Sequence, residues 1–357
     1  MTISDPTTIR PDEHETRHDA PEGKETLPQP RATRSRKLTA VVLVWILVVV
    51  SAAAFLFYRA RSASVTNAAA TSITSRLYVN PYSQAAIWAK KHPVSPATKP
   101  IEQQIAKQPA ARWFGAWDGK ITPAVDEYTK AAAGEHKIPI LIAYNLPGRD
   151  CGGESAGGAP NAAAYNKWID GFAAGLHNRR ALVVLEPDSL AMIDGCLNPA
   201  GQQARLDMLS RAVDKLQSQN VWVYLDAGHS NWAPAGEMAR RLKDAGIAKA
   251  HGFALNVSNY NPTNSEAAYG QQIDKVLGTD KPFIVDTSRN GNGALGDKWC
   301  NPVGRKVGSM PQAGTDGAEM LLWLKAPGES DGNCGTGKGT EAGQFSPKLA
   351  SRLLTGQ

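Results

Sequence analysis

The chain has 357 residues, of which 42% are hydrophobic and 20% charged, with a formal net charge of +6. This is enough apolar material for a large core and an ordinary charge density, which excludes a wholly disordered chain. Lysines and arginines are scattered rather than interleaved with aromatics, so no nucleic-acid partner is expected.

Residues 1–37 are rich in Pro, Thr, Asp, Glu and Arg and read as a disordered tail. Leu38 to Tyr58 carries no charge, and as a helix it would be about 30 Å long, enough to cross a bilayer core. Arg31, Arg34, Arg36 and Lys37 precede it, and the smaller pair Arg59 and Arg61 comes after it. The positive-inside rule then predicts a cytoplasmic tail and a membrane partner through this single helix, with the rest of the chain outside. The alternative is a leader cleaved near Ala52 to Ala54. Thirty-seven residues before the apolar run is long for a leader, which favours an uncleaved anchor, and both readings export the remainder of the chain. Residues 59–75 are small and polar and read as a linker.

From Arg76 onward strands and helices alternate, giving one domain over 76–357. The predicted strands are Leu77–Tyr82, Ile138–Asn145, Ala181–Asp188, Val221–Ala227, Gly252–Ser258, Phe283–Thr287 and Met320–Lys325. The predicted helices are Ile121–Ala133, Ala162–Leu176, Ala204–Gln217, Ala235–Ala245 and Glu266–Leu277. Short apolar strands between helices imply a parallel sheet with right-handed crossovers. The size suits a distorted, incomplete parallel β/α barrel of about seven strands. Gly332–Gly343 reads as a surface loop.

Each of the seven apolar runs ends in polar residues: Asn80; Tyr144 and Asp150; Asp188; Asp226 and His229; Asn256; Asp286 and Arg289; and Lys325, Glu329 and Asp331. In a parallel barrel these ends share one face, so aspartates distant in sequence converge there. Any one of them could be a helix cap or a turn residue, but Asp150, Asp188, Asp226 and Asp331 at strand ends of one sheet form an acidic cleft. Hydrolysis of a glycosidic bond needs such a group: a protonated carboxyl for the leaving oxygen and, in an inverting enzyme, a carboxylate that activates water. His229 and the Asn256 and Asn259 pair stand at strand ends too, where they would either bind sugar hydroxyls or satisfy backbone groups; Asn259 is taken as a substrate-binding candidate, and a structural role is favoured for His229. No P-loop, dinucleotide fingerprint or HExxH site is present, and neither a metal nor a cofactor is expected.

All four cysteines lie in the exported part, which suggests two disulfides. Three pairings are possible. Cys151–Cys196 and Cys300–Cys334 are favoured because each joins loops after neighbouring strands.

The segments YNLPGRDCGG (144–153), LEPDSL (185–190), LDAGHSNW (225–232), DTSRNG (286–291), KWCNP (298–302) and LKAPGESDG (324–332) occur in this order, as does NPY with a Trp six residues after Tyr82. Together they resemble glycoside hydrolase family 6, the cellobiohydrolases and endoglucanases that cut β-1,4-glucan with inversion. The resemblance spans about the whole of the exported domain and implies a role for several residues. Asp188 matches the general acid. Asp150 matches the aspartate that raises the acid's pKa and helps relay a proton, and Asp331 matches the proposed base, for which a water chain is the rival. Asp226 matches a further site aspartate, and Tyr144 the tyrosine that helps distort the sugar at the cleavage point. Ser155 lies on the loop that moves over substrate, and Lys325 and Glu329 match residues that hydrogen-bond sugar hydroxyls. Trp88, Trp232 and Trp299 match sugar platforms, since a pyranose buries its apolar face on an indole.

Trp222 and Trp323 alternate within strands and read as core; Trp113, Trp117 and Trp168 read as packing residues. Ala235 stands where fungal exo-acting relatives carry a second tryptophan, and the segment from Lys325 to Phe345 is short. Both features favour an open cleft and endo action by a monomer on β-1,4-glucan. The alternatives are an exo-acting cellobiohydrolase, a hydrolase of another β-glucan or of a cell-wall glycan, or a non-catalytic glycan-binding protein on the same fold.

Overall fold

The computed structural model describes residues 43–52 and 67–357. The chain divides into two units, Met1–Ala60 and Arg61–Gln357. In the first, residues 43–52 are helical, and Leu43 to Val50 keep more than half of their surface exposed. The tail 1–37 and the remainder of the expected membrane segment 38–58 lie outside the described residues. No helix among the described residues is long and apolar enough to cross a membrane.

The second unit is a curled α/β sheet. Its strands are β1 (Arg112–Phe114), β2 (Ile140–Ala143), β3 (Ala181–Leu185), β4 (Val221–Asp226), β5 (Gly252–Leu255), β6 (Phe283–Asp286), β7 (Gln312–Ala313) and β8 (Met320–Leu322). They lie in the order β1-β2-β3-β4-β5-β6-β8-β7, parallel except for β7, which runs antiparallel to β8. The Ala111 N–H donates to the Trp323 carbonyl at 2.9 Å, which brings the start of β1 against the end of β8. The sheet therefore curls round on itself.

Strand side chains alternate between two cores. Leu141, Val183, Leu185, Val223, Leu225, Phe253 and Val285 pack outward, with Val125, Phe172, Leu209 and Met238 of the surrounding helices. Ile140, Ile142, Leu182, Val184, Tyr224, Ala254, Ile284 and Met320 fill the interior. Because both faces are covered, the central strands β2 to β6 are apolar runs rather than alternating ones, with β4 and β6 closed by Asp226 and Asp286. Full burial of one such aliphatic side chain is worth about 1.5–3 kcal/mol.

Eight strands replace the expected seven. Leu77–Tyr82 makes only an isolated parallel bridge, from Leu77 to Ile138, and the edge position is taken by β1. The helices Ala162–Leu176, Ala235–Asp244 and Thr263–Leu277 agree closely with the sequence reading, with Asn161 accepting from the Ala164 N–H as an N-cap for the first. Helices Gln84–Lys91 and Pro347–Thr355 are additions to it. Cys151 is joined to Cys196, and Cys300 to Cys334. The first bridge ties the loop after β2 to that after β3, and the second ties the loop after β6 to that after β8.

Candidate functional site

The strand C-termini surround one long cleft of about 1420 Å³. Its walls include Tyr144, Asp150, Ser155, Asp188, Trp232, Asn259, Trp299, Lys325, Glu329 and Asp331, site candidates that come from separate segments of the sequence.

Asp188 is presented by a sharp turn. After β3, Glu186 and Asp188 take φ of 52° and 70°, with Pro187 between them. This left-handed geometry is disfavoured for side chains other than glycine and persists only where neighbours hold it. Two carboxylates do so. Glu186, 1% exposed, accepts the backbone N–H of Asn145 and of Leu146 and so locks the end of β2 to the end of β3. Asp226 accepts the Asp188 N–H at 2.9 Å and the Gly228 N–H at 3.1 Å through one oxygen.

The Asp188 carboxyl is pushed up to about 7, first by burial and then by the charge of Asp150, against the pull of Lys325 and a hydrogen bond with Tyr144. Burial is also the main cause of the rise at Asp150, opposed by the hydrogen bond from the Ser155 N–H. The site thus holds a carboxylic acid that keeps its proton close to neutral pH beside a second carboxyl, the combination required of a general acid.

Asp331 faces them from the loop after β8. Its Oδ2 accepts from Arg289 at 2.9 Å, from the Tyr260 hydroxyl at 3.0 Å and from the Asn301 N–H at 2.9 Å. Asn301 returns the contact by accepting the Asp331 N–H at 3.0 Å. The buried Lys325 donates to the Ser330 carbonyl and stands over the Trp113 ring, and burial lowers its pKa. Glu329 accepts from Gln84 at 2.9 Å, which ties the loop after β8 to helix Gln84–Lys91.

The loop after β2 is organised by Arg149. Its guanidinium lies 4.9 Å from the ring centres of both Tyr144 and Trp117 and donates to the carbonyls of Tyr144 and Ser155. This loop also touches the loop after β8: Glu154 accepts the Asn333 N–H at 2.9 Å and lies flat on Gly332, whose φ of +141° and missing Cβ leave room for it.

Two residues expected to touch sugar lie elsewhere. Trp88 is not part of the cleft wall. One turn of helix carries its ring onto His92, at 4.8 Å between ring centres, and sets it at a tilt to Phe345, at 6.2 Å. Asp226 is 1% exposed and sits behind Asp188, where it supports the backbone. Conversely, Trp113 and Trp117, expected to be packing residues, line the cleft, as does Tyr82. His229 also lines it, and burial lowers its pKa to about 4, which leaves a neutral ring at ordinary pH. Glu266 is fully buried on helix Thr263–Leu277 and accepts the N–H and hydroxyl of Ser230, so it anchors the loop that carries Trp232. Among the described residues no cluster of His, Cys, Asp and Glu could hold a metal ion.

Comparison with known proteins gives a consistent picture. Residues 72–357 match the model of "Glycosyl hydrolases family 6". The chain is 51% identical over 293 residues to Endoglucanase 1 of Streptomyces halstedii, covering 80% of this chain and 90% of that protein. It is 32% identical over 308 residues to a probable 1,4-β-D-glucan cellobiohydrolase C of Aspergillus fumigatus, covering 72% and 68%. The structure of the endoglucanase Cel6 from Mycobacterium tuberculosis, in complex with methyl-cellobiosyl-4-deoxy-4-thio-β-D-cellobioside, superimposes with a TM-score of 0.72 at 39% identity, over 78% of this chain and 96% of that one.

Proposed function

The chain belongs to glycosyl hydrolase family 6 and is a glycoside hydrolase of the cellulase type, and from that premise we propose that it cuts β-1,4-glucan internally, with inversion at the anomeric carbon. The observation that carries this reading is Asp188, with a carboxyl pushed up to about 7 on the wall of a cleft that also holds Asp150 and Asp331.

In the proposed reaction Asp188 gives its proton to the glycosidic oxygen as the bond to the anomeric carbon breaks. Water attacks that carbon from the opposite face and loses a proton to Asp331 or through a water chain to Asp150. The negative charge of Asp150 keeps the proton on Asp188 until it is needed. Tyr144, under the reacting sugar, favours the distorted ring. Lys325, Glu329, Asn259 and Ser155 meet the sugar hydroxyls, while Trp232 and Trp299 stack on apolar sugar faces.

Endo action is supported by the 51% identical relative, which is itself named an endoglucanase. It is also supported by the short segment from Lys325 to Phe345, which folds straight back through a Glu329 to Phe345 bridge. A cellobiohydrolase is the second reading, favoured by the Glu154 to Asn333 contact between loops on two sides of the cleft. We further read the catalytic domain as exported and acting as a monomer, with 38–58 as its anchor and 1–37 as a cytoplasmic tail; it begins before the expected residue 76, because residues 67–74 are helical and bury Ala70 and Ile73 in the interior core, so the linker expected over 59–75 ends before 67. The test is hydrolysis of soluble carboxymethyl cellulose and of cello-oligosaccharides by the purified chain, with the new reducing ends monitored by NMR. The α-anomer should appear first. An initial β-anomer would exclude inversion, and binding without hydrolysis would favour a glycan-binding protein.

A further inference from the structure

The turn after β1 presents an indole that the proposed chemistry does not use. Trp117 keeps 55% of its surface exposed while lining the same cleft as Asp150 and Asp188. It is not a loose surface side chain. Ala116–Asp118 form a short 3-10 turn, and the Asp118 carboxylate accepts the Gly115 N–H at 2.9 Å and Arg112 Nη2 at 3.1 Å. Gly115 lies against the ring: a Cβ there would meet three indole carbons at 2.5–2.8 Å, so glycine alone lets the ring take this place. The Arg149 guanidinium lies 4.9 Å from the ring. Turn, glycine and cation fix the indole before any ligand arrives, so binding to it costs little ordering entropy.

A fixed, half-exposed aromatic within a cleft lined by Gln108, Arg112 and Asp118 fits a pyranose, whose apolar face stacks while its rim hydroxyls find polar partners. Trp232 and Trp299 stand on the loops after β4 and β6, whereas Trp117 stands after β1. In the strand order β2 and β3 separate β1 from β4, so Trp117 stands on a different part of the rim from Trp232.

We propose that Trp117 is a sugar-stacking platform on the β1 wall, which binds a glucosyl unit of the β-1,4-glucan chain away from the bond being cut. The inference rests on the glucanase reading of the site. A role confined to shielding Arg149, and through it the loop of Ser155 and Asp150, is the competing account.

The experiment compares Trp117→Ala, Trp117→Leu and Trp117→Tyr in the full chain on a ladder of cello-oligosaccharides, with folding checked by circular dichroism. On the longest oligosaccharides Trp117→Ala should lose between about twofold and about tenfold in kcat/KM, carried by KM, in keeping with one lost ring contact. The shortest oligosaccharide that is cut should be unaffected. Trp117→Tyr should recover most of the loss. Should Trp117→Ala fail to fold, Trp117→Leu, apolar but not aromatic, should show the same length dependence. An equal loss at every length, carried by kcat with a displaced pH profile, would assign the indole to Arg149 and overturn the platform, as would no loss at all. Calorimetric binding of the same ladder to the Asp188→Asn chain separates the two levels. Binding without cleavage by the wild type would sink the hydrolytic reading, while the length dependence of affinity in the Trp117 variants would still decide for or against the platform.

Discussion

Asp226 accepts the backbone N–H of Asp188 at 2.9 Å from a position only 1% exposed. The pair shows how a carboxylate buried behind the cleft can fix the backbone of one on its wall. The turn at Asp188 has φ of 70°, and the hydrogen bond from behind helps to hold it, together with the Glu186 contacts to Asn145 and Leu146. Asp226→Ala would leave that N–H without its acceptor, a loss of about 1–3 kcal/mol that is felt where the acid is aimed. We expect kcat to fall about tenfold or more with KM little changed, and Asp226→Asn, which keeps an acceptor oxygen, to recover part of it. Separate measurement of kcat and KM on a soluble oligosaccharide decides; a fall confined to KM would mean that Asp226 reaches the sugar after all.

Asp188→Asn removes the proposed proton donor but keeps the shape. Activity on unactivated glucan should drop by about 10²–10⁴-fold, the usual worth of general acid catalysis. A substrate with an aryl leaving group that needs no proton should suffer much less. Equal losses on both substrates would show that Asp188 is not the acid.

Asp150→Asn tests the electrostatics. The Asp188 carboxyl is raised to about 7 by burial first and by Asp150 second. The alkaline limb of the rate profile tracks loss of the acid's proton, so removing the Asp150 charge should move that limb to lower pH. Burial remains, so the movement is partial. The limb belongs to the coupled carboxyl group as a whole. A limb that stays in place, in a variant active enough to measure, rules out the charge effect.

Strands β2 to β6 are legible in the sequence because burial on both faces writes an unbroken apolar run, as in Ala181–Leu185. Strand β1 is not. It has three residues, one of them an arginine and two of them only half-buried. Helix Gln84–Lys91 buries only Ala85 and Ala89, so its apolar face leaves little periodic signal. Without that helix, Trp88 and His92 read as two residues in a loop; four residues apart on a helix they stack, and the tryptophan turns away from the cleft. Trp117 reads as packing because nothing in WFGAWDG says which indole faces outward. Glu266 does carry a signal: buried positions 266, 269, 270, 273 and 277 keep helical spacing and put the glutamate on the inner face.

That buried glutamate gives the fold a pH dependence. Burial raises Glu266 from the ordinary 4.5 to about 7, and Glu186 likewise. The folded state therefore binds these protons more tightly than the unfolded chain does. The resulting stabilisation is complete below about 4.5 and is lost as pH rises through about 7. Between pH values on either side of that window the wild type should lose melting temperature toward alkali. Glu266→Gln, which cannot ionise, should lose less. Thermal unfolding of both proteins across the window checks this, and parallel curves would remove Glu266 from the account.

Endo action makes the most demanding prediction, because two features pull in opposite directions. The segment from Lys325 to Phe345 is short and pinned by the Glu329 to Phe345 bridge, and Ala235 offers no distal platform, so a chain can enter from the side. Against this, Glu154 reaches from the loop after β2 to the Asn333 N–H. This contact is one exposed hydrogen bond, worth about 0.5–1.5 kcal/mol, which is too little to hold two loops together against an entering polymer. Sideways entry should therefore prevail, and the viscosity of carboxymethyl cellulose should fall much faster than reducing ends accumulate. Glu154→Ala should leave that ratio unchanged. If cellobiose were nearly the sole early product with viscosity intact, the two loops would form a real roof. Glu154→Ala should then shift the product pattern toward internal cuts, and the reading of the chain would change to an exo-acting enzyme with the same aspartates.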